Sequence, residues 1–444
     1  MKTFITSIIL FIIGHGIYAQ ETIINAEKKQ KIIEYINHFD SNNKLMGTIS
    51  IFEKGKEVVN ATFGEHNQVT KPIQDRKYAI GSITKMYTAI LMAKLQEDNE
   101  INFNEKLDNY FPAITNADKI TLKQMLNHTS GLKNYVAHDS ITQWLTTPRS
   151  HQEIMDKITS EGVSFNPGDS LEYSNSAYYL LGKILEKKHQ KPFRKIVEDE
   201  IAKPLQLQHT IVIDETNNSN ELAKSYKRID GDWKEMKEFH FPNAFAAGNI
   251  FSTAREQNIF LQELFAYNII SEETLNTILP VDNAWFGLGI MKAPFYEHIS
   301  YGHGGDTYGT HSVAAYNPKN GIGITHIING EDYPHTQFIL GVLSIIYDKE
   351  YELPNFEEYI PDKKYFDSYI GTYGSDKLPI TIKIFMEDGE LKAQGEGQPS
   401  FILTPKAKHK FEFLEAGIVM TFDGYNDTMT FTQAGQEFVM TKRK

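Results

Sequence analysis

Ser82 and Lys85, with two residues between them, lie at the start of the largely apolar stretch SITKMYTAILMAKLQED, and Gly81 precedes the serine. A helix places residues i and i+3 on one face, so the lysine amine and the serine hydroxyl are expected to be neighbours. The apolar residues that follow predict burial on more than one side of the helix. Burial favours the neutral form of a lysine, and a neutral amine beside a hydroxyl can accept its proton. This spacing therefore predicts an activated serine nucleophile.

Ser-x-x-Lys by itself is a weak signal, because a chain of 444 residues contains about two such spacings by chance. Another one, Ser41-Asn-Asn-Lys44, lies in a polar segment with no apolar helix after it. The structural alternative for Ser82 and Lys85 is a helix N-cap followed by a surface lysine. The pair alone leaves both interpretations open.

A second group of polar residues is Tyr173-Ser174-Asn175, which follows a Pro-Gly turn and precedes a helical pattern that starts near Ala177. A tyrosine in such a loop could carry a second proton, and Asn175 could bind a substrate amide or hold Lys85. The structural alternative is a helix cap next to a packed tyrosine.

The third group lies in SYGHGGDTYGTHSVAAY, where four glycines surround His303: Gly302, Gly304, Gly305 and Gly309. Glycines let the backbone approach a ligand closely and present its N–H groups. A flexible glycine loop is one alternative. A metal site is the other, and its candidate ligands are His298, His303, Asp306 and His311. Neither a helical pair of histidines nor HExxH occurs here, so we expect no metal.

Together these groups resemble the serine β-lactamase and penicillin-binding-protein superfamily, and most closely its branch of class C β-lactamases, D-aminopeptidases and related esterases. The matching residues, in the order of that family, are Ser82-Ile-Thr-Lys85, Tyr173-Ser-Asn175 and His303-Gly-Gly305. Further similar stretches are ITLKQMLNHTSGL, AAGNIFSTA and FGLGI. The resemblance covers residues 27–349.

The resemblance implies that Ser82 attacks a carbonyl and becomes acylated, with Lys85, alone or together with Tyr173, as the base. Tyr173 would protonate the leaving group, and Asn175 would bind the amide on the acyl side. The backbone N–H groups of Ser82 and Asp306 would form the oxyanion hole. No cofactor is implied. We interpret the segment His128-Thr-Ser-Gly131 as a structural turn.

His303 departs from the family pattern, since β-lactamases and D-Ala-D-Ala peptidases usually have lysine at this position. A histidine is mostly neutral at neutral pH and grips a substrate carboxylate less strongly. With Gly305 and Asp306 beside it, the expected substrates are esters, amides or D-amino-acid peptides, and the Asp306 carboxylate favours a free amino group. The alternatives are a β-lactamase or D-Ala-D-Ala carboxypeptidase, and a penicillin-binding sensor or scaffold without turnover.

The predicted strands and helices around these residues indicate an α+β fold. LMGTISIFEKGKEVVNATFG predicts two strands, and the chain from about residue 82 to 205 is mostly helical. Strands are predicted again at residues 286–292, 311–316 and 321–328, and a closing helix at residues 335–349. The resemblance implies a β-lactamase/transpeptidase-like domain at residues 20–352, with an antiparallel sheet flanked by helices and a helical subdomain.

A second unit is predicted at residues 364–444, after a linker at residues 353–363. Short alternating segments separated by turn residues predict about eight strands, enough to close a small barrel. This unit resembles the lipocalin-like barrel of some hydrolases in the same branch. It is either a stabilising or assembly module, or a wall over the active site that limits substrate size.

Composition and the N-terminal residues limit the expected partners, the chemistry and the location of the protein. Lys and Arg total 45 against 57 Asp and Glu, a net charge of −12, so nucleic acid is not an expected partner. Cysteine is absent, which excludes disulfides and a thiol nucleophile. Residues 1–19 resemble a secretory signal peptide, so the mature protein is expected in the periplasm or secreted, without stable membrane insertion. The expected partner is a small-molecule or short peptide substrate.

Overall fold

The computed structural model describes residues 22–64, 76–136, 144–216, 222–282, 284–357, 359–423, 426–433 and 436–443. The signal peptide predicted at residues 1–19 lies outside these ranges. Within them, no helix combines the length and the apolar character that crossing a membrane requires.

Up to residue 346 the strands and helices come in runs, with strands near both ends and most helices between them. The strands are β1 (Leu45–Glu53), β2 (Lys56–Phe63), β3 (Tyr78–Ala79), β4 (Ile211–Val212), β5 (Tyr226–Ile229), β6 (Asp232–Glu235), β7 (Ile250–Ser252), β8 (Met291–Phe295), β9 (His298–Asp306), β10 (His311–Asn317) and β11 (Ile322–Glu331). The helices are α1 (Ala26–Ser41), α2 (Thr84–Glu97), α3 (Leu122–Leu126), α4 (His151–Glu161), α5 (Asn175–His189), α6 (Phe193–Val197), α7 (Ala254–Phe265), α8 (Glu272–Ile278) and α9 (His335–Ile346).

The main sheet joins strands from both ends of this region. Its antiparallel order is β2-β1-β11-β10-β9-β8, and the β5–β6 hairpin adds a short parallel pairing to β11. A small separate sheet has three strands in the order β3-β7-β4. The predicted α+β class is confirmed.

Two layers of helices cover the main sheet, so β1 is buried along its whole length. On one face α1 and α9 pack together, with Phe39 against Phe338 at 5.2 Å between ring centroids. On the other face α7 lies across β1, β10 and β11, and α2 forms part of the larger core behind it. Ile327 belongs to that larger core and Ile328 to the α1–α9 core, because neighbouring strand residues point to opposite faces.

The prediction for the strands around His303 is partly wrong. The strand expected at residues 286–292 begins only at Met291, and Phe286 makes a single bridge to Met291. The glycine-rich segment is not a loop but the strand β9, paired with β8 on one side and β10 on the other. A Cβ at Gly302 would lie 1.9 Å from the Ala314 carbonyl oxygen, so glycine here permits close pairing.

The C-terminal region folds as the predicted barrel, and its described residues form nine strands rather than about eight. They are β12 (Gly371–Ser375), β13 (Leu378–Glu387), β14 (Glu390–Gly395), β15 (Ser400–Ile402), β16 (Thr404–Ala407), β17 (Lys410–Phe413), β18 (Ile418–Asp423), β19 (Thr428–Gln433) and β20 (Gln436–Arg443), preceded by α10 (Phe366–Tyr369). The order β15-β14-β13-β12-β20-β19-β18-β17-β16 is antiparallel and nearly closed. Its interior is filled by a separate apolar core that includes Tyr373, Met420 and Phe431.

The barrel packs beside α9, where Gln337 Nε2 donates to the Leu414 carbonyl oxygen at 3.3 Å. A seam cavity of about 460 Å³ lies between the α1–α9 layer and β17–β18, with Tyr35 and Gly341 on one side and Lys410 on the other. The described part of residues 349–362 contains neither helix nor strand. The division into two domains at residues 353–363 stays a prediction.

Candidate active site

Ser82 lies in a 3₁₀ turn, Gly81–Ile83, which leads directly into α2. Lys85 is on the first turn of α2 and its side chain is fully buried. Its Nζ atom lies 2.9 Å from Ser82 Oγ. The alternative of an N-cap and a surface lysine is wrong, because α2 is capped at Ile83 without a side-chain bond and Lys85 has no exposed surface.

Two acceptors hold the Lys85 amine from other parts of the chain. Asn175 Oδ1 lies 2.7 Å from Nζ, and the Ala247 carbonyl oxygen lies 2.9 Å from it. Burial lowers the pKa of Lys85 well below its usual value of 10.5. A neutral amine has two N–H donors and one lone pair. With both donors directed at these two oxygens, the lone pair is left for the Ser82 hydroxyl proton.

The amide of Asn175 has a defined orientation. Its Nδ2 atom donates to Asn134 Oδ1 at 3.1 Å, which leaves Oδ1 for Lys85. Asn175 is the first residue of α5, and Ser174 is the N-cap that accepts from the Ala177 N–H at 3.2 Å. The capping role in this loop therefore falls to Ser174, and Asn175 is available to the lysine.

Tyr173 lies over the same amine. Its ring centroid is 4.8 Å from Lys85 Nζ, and its hydroxyl shares a hydrogen bond with Ser82. Burial raises the pKa of Tyr173, and the bond with Ser82 only partly offsets this rise. The phenol is therefore protonated at neutral pH and can donate its proton.

His128, which the sequence analysis assigned to a structural turn, supports Tyr173 and its loop. Its ring lies 4.3 Å from the Tyr173 ring, and its Nδ1 atom accepts from the Ser174 N–H at 3.1 Å. Burial lowers the pKa of His128, and the nearby Lys85 and His303 lower it further. His128 has a left-handed φ of 62°, so the HTSG turn presents the ring to the following loop.

His303 lies on β9 and is almost completely buried, at 5% exposure. Burial, with a smaller effect of Lys85, lowers its pKa to about 4, so the imidazole is neutral at neutral pH. Its Nδ1 atom lies 2.5 Å from the Gly304 carbonyl oxygen, an acceptor, so Nδ1 carries the proton. Nε2 is then the unprotonated nitrogen, and it has no hydrogen-bond partner among the described residues.

The end of β9 passes against the turn that carries Ser82. A Cβ at Gly305 would lie 2.0 Å from the Ile80 carbonyl oxygen and 2.8 Å from Ser82 N, and a Cβ at Gly81 would lie 2.8 Å from Asp306 N. Glycine at both positions therefore brings the backbone N–H groups of Ser82 and Asp306 to one place. The role of Gly305 in the site is therefore steric, because any side chain there would push β9 away from the Ser82 turn.

Ser312, which the sequence did not indicate as a site residue, contacts both the segment before Ser82 and the end of β9. Its Oγ atom lies 3.0 Å from the Ile80 carbonyl oxygen and 3.0 Å from the Gly305 carbonyl oxygen. Because Ser312 is on β10, the neighbour of β9, the sheet itself sets the distance between Ser82 and Asp306.

A cavity of about 190 Å³ opens at Ser82. Its lining is largely apolar and consists of Ser82, Tyr135, Val136, Leu145, Asn175, Phe239, Ala244, Ala247, Gly248, Asp306, Thr307 and Tyr308. Glu238 anchors the last of these segments by accepting from Thr307 Oγ1 at 2.6 Å and from the Tyr308 N–H at 3.0 Å. No described residue of the barrel lines this cavity, so the idea of a wall over the active site gains no support.

The three histidines and one aspartate considered as a metal site do not form one cluster. His298 stacks on Tyr347 at 3.7 Å between ring centroids, and His303 stands apart as described above. Asp306 Oδ1 lies 2.7 Å from His311 Nδ1, and His311 Nε2 lies 3.0 Å from Glu331 Oε2. Although burial opposes it, hydrogen bonds to these two carboxylates raise the pKa of His311 to about 10.

Comparisons with known proteins agree with this architecture. The sequence profile of the Beta-lactamase family matches residues 36–339. A curated relative, a teichoic acid D-alanine hydrolase of Staphylococcus aureus strain MRSA252, is 24% identical over 254 residues, which are 57% of this chain and 61% of the relative. The chain thus spans about three fifths of the length of the curated relatives it matches.

Two solved structures are similar in fold. The D-amino acid amidase from Ochrobactrum anthropi SV3 has a TM-score of 0.64 and 21% identity, over 73% of this chain and 99% of the amidase. The octameric penicillin-binding protein homologue from Pyrococcus abyssi has a TM-score of 0.64 and 20% identity, over 93% of this chain and 99% of that protein. The second likeness therefore extends into the C-terminal barrel.

Proposed function

Because the chain belongs to the Beta-lactamase family, we propose that it is a serine hydrolase that forms an acyl-enzyme on Ser82. One observation carries the proposal: the buried Lys85 amine lies 2.9 Å from Ser82 Oγ while two oxygens occupy its N–H donors. This arrangement leaves a base for the serine proton without any cofactor.

In the proposed acylation, Ser82 Oγ attacks the substrate carbonyl carbon and its proton passes to Lys85 Nζ. The negative charge on the carbonyl oxygen faces the N–H groups of Ser82 and Asp306. The tetrahedral intermediate then collapses, and the bond to the leaving group breaks. Tyr173 gives its proton to the leaving group and regains one from Lys85, which returns the amine to its neutral form.

Deacylation reverses these proton transfers with water as the nucleophile. Tyr173 and Lys85 take a proton from the water, whose oxygen attacks the acyl carbon, and Ser82 leaves with a proton. His128 keeps the Tyr173 loop in place through the Ser174 N–H, and Asn175 keeps Lys85 aligned.

The cavity favours substrates that lack a carboxylate next to the scissile bond. Among the described residues that line the cavity there is no lysine or arginine, and His303, in the position of the family lysine, is neutral with its proton directed at Gly304. Asp306 instead brings a carboxylate whose side chain is 72% exposed, with Oδ1 held by His311. We therefore propose that its second oxygen binds the ammonium of an aminoacyl ester or amide.

The curated D-alanine hydrolase supports an aminoacyl ester of D-configuration as the first substrate to test. The neutral His303 argues against the alternative of a β-lactamase or D-Ala-D-Ala carboxypeptidase, because both bind an anionic group. We further propose that residues 1–19 direct export, so that the enzyme acts in the periplasm or outside the cell.

The nucleophile is tested with Ser82→Ala and with Ser41→Ala as a matched control, since Ser41 has the same spacing to a lysine. A fluorophosphonate probe should label the native chain and the control but not Ser82→Ala. Hydrolysis of p-nitrophenyl esters should fall by about 10⁴-fold or more in Ser82→Ala alone. Labelling of Ser82→Ala at another serine would overturn the assignment.

Substrate class is tested with a D-alanyl ester, the L-alanyl ester, an N-acetylated D-alanyl ester and a chromogenic cephalosporin. The D-alanyl ester with a free amine should have the highest kcat/KM. A higher kcat/KM for the cephalosporin would replace this proposal with the β-lactamase alternative. A burst of product without steady turnover on every substrate would indicate the penicillin-binding sensor.

A further inference from the structure

Asp306, His311 and His335 form a second cluster of donor atoms. Neither histidine takes part in the proposed hydrolysis. One donor atom from each of the three residues lies within 4.8 Å of the other two. Asp306 ends β9, His311 begins β10 and His335 begins α9, so three separate elements bring them together. Ligands from three separate elements need no helical spacing, so the lack of a helical histidine pair in the sequence does not bear on this set.

A single carboxylate, Glu331, orients both imidazoles. Its Oε2 atom lies 3.0 Å from His311 Nε2 and its Oε1 atom lies 3.1 Å from His335 Nδ1. The two rings stack at 4.7 Å between centroids and 7° between planes. Two nitrogens are then left for a ligand. His311 Nδ1 lies next to Asp306 Oδ1, and His335 Nε2 has no hydrogen bond among the described residues. Carboxylates commonly hold the outer nitrogen of a histidine that binds a metal.

We propose that Asp306, His311 and His335 bind one Zn²⁺ ion, with Glu331 as their outer partner. Two imidazoles and a carboxylate suit zinc, whereas Mg²⁺ and Ca²⁺ prefer oxygen ligands. Zinc ligands in a tetrahedron lie about 3.4 Å apart, so the set must contract. Because the two imidazoles are stacked in nearly parallel planes, the His335 ring must turn toward the ion as well as the exposed Asp306 side chain. Binding releases to solvent the proton that His311 Nδ1 shares with Asp306.

A Zn²⁺ ion at this position inhibits the enzyme. This consequence rests on the proposed function, in which Asp306 binds the substrate ammonium. A coordinated Asp306 carboxylate no longer accepts that ammonium, and the charge of the ion repels it. Ser82, Lys85 and Tyr173 need no metal for the chemistry. Removal of metal therefore leaves the basal rate unchanged, and zinc lowers it.

The test measures zinc binding to the full chain after metal removal, by calorimetry without substrate. We expect one Zn²⁺ per chain with micromolar or tighter affinity, no heat with Mg²⁺, and the intense visible bands of tetrahedral Co²⁺ when cobalt replaces zinc. His335→Phe keeps a ring against His311 but removes the nitrogen ligand, and should weaken zinc binding at least tenfold. His298→Phe is the matched control, because that histidine also stacks on a ring and lies outside the cluster, and its zinc affinity should not change.

Absence of zinc binding, or unchanged affinity in a folded His335→Phe variant, overturns the site. Hydrolysis of the D-alanyl ester by the native enzyme should fall in zinc and recover with EDTA, while His335→Phe should keep its rate in both. Zinc that binds through His335 without inhibition confirms the metal site and overturns the role of Asp306 toward the substrate. The two proposals can thus fail separately.

Discussion

Ser41 and Lys44 have the spacing of Ser82 and Lys85, but they lie in very different surroundings. Ser41 is exposed at the end of α1 and donates to the His38 carbonyl oxygen at 3.3 Å. Lys44 extends to an ion pair with Asp332 at 2.7 Å. Lys85 is buried, and its amine has Ser82, Asn175 and Ala247 as neighbours.

The difference shows that sequence spacing brings a serine and a lysine near each other without deciding their chemistry. A carboxylate partner favours the charged ammonium, whereas burial with neutral acceptors favours the amine. The acceptors at Lys85 come from α5 and from the turn before β7, far away in the chain. The reactive pair is therefore a product of tertiary structure.

Exchanging each lysine for methionine gives the largest contrast between the two regions. Lys85→Met removes the proposed base but keeps the apolar stem, so kcat/KM on an activated ester should fall by about 10³–10⁴-fold. Lys44→Met should leave kcat/KM unchanged. Steady-state kinetics on folded variants, checked by circular dichroism, measures both. Equal losses in the two variants would contradict the assignment of Lys85 as the base.

Two histidines on β9 also differ in burial: His303 is buried, whereas the His298 side chain is 25% exposed. His303→Lys restores the cation of the family pattern, and a charge-assisted contact is worth about 1.5–3 kcal/mol, or roughly ten- to hundredfold. The kcat/KM ratio of a cephalosporin to an uncharged ester should rise by that factor. His298→Lys is the control and should not move the ratio. An unchanged ratio in His303→Lys would remove His303 as a determinant of specificity.

The pH profile sharpens the assignment of Lys85. Since burial lowers the pKa of Lys85 below 10.5, the rate of fluorophosphonate labelling should rise about tenfold per pH unit up to that pKa and then level off. Between the two pKa values the unfolded chain holds a proton that the native chain does not, so stability also rises with pH there. Asn175→Asp places a negative charge next to Nζ and should shift the rising limb to higher pH. A profile that does not shift would argue against Lys85 as the titrating base.

The smallest expected effect concerns His128, which supports Tyr173 from behind. His128→Phe keeps a ring against Tyr173 but leaves the Ser174 N–H without its acceptor, a loss of about 1–3 kcal/mol in unfolding free energy. We expect kcat to fall about threefold to tenfold with KM unchanged, because Tyr173 moves protons and does not hold the substrate. Thermal unfolding and kinetics of the same variant test both parts. A change confined to KM would contradict this role.

The local features of the site could be predicted from the sequence. The i, i+3 relation of Ser82 and Lys85 follows from one turn of backbone, and the apolar residues of α2 indicate its burial. The N-cap before α5 follows from Ser174 in the same way. These are short-range relations in which each residue meets its partner within four positions.

What the sequence did not reveal depends on long-range pairing. Ser312 reaches Ile80 across 232 positions, and the Ala247 carbonyl that binds Lys85 is a backbone atom with no side-chain signature. The strand β9 was missed because glycines have low strand preference, and its pairing with β8 and β10 overrides that preference. The His311–His335 contact likewise joins a strand to a later helix.

The position of β1 between β2 and β11 has a consequence for how the protein is made. A hydrogen bond from Lys28 Nζ to the Ile346 carbonyl oxygen spans 318 positions, and β1 itself has no partner on one edge until β11 has been synthesised. At a synthesis rate of about 5–20 residues per second, the early strands wait many seconds for that partner. Closure of so long a loop also makes the sheet slow to form. The newly made chain therefore lacks this pairing during most of its synthesis, and the turn that carries Ser82 meets the end of β9 only after Asp306 has been made.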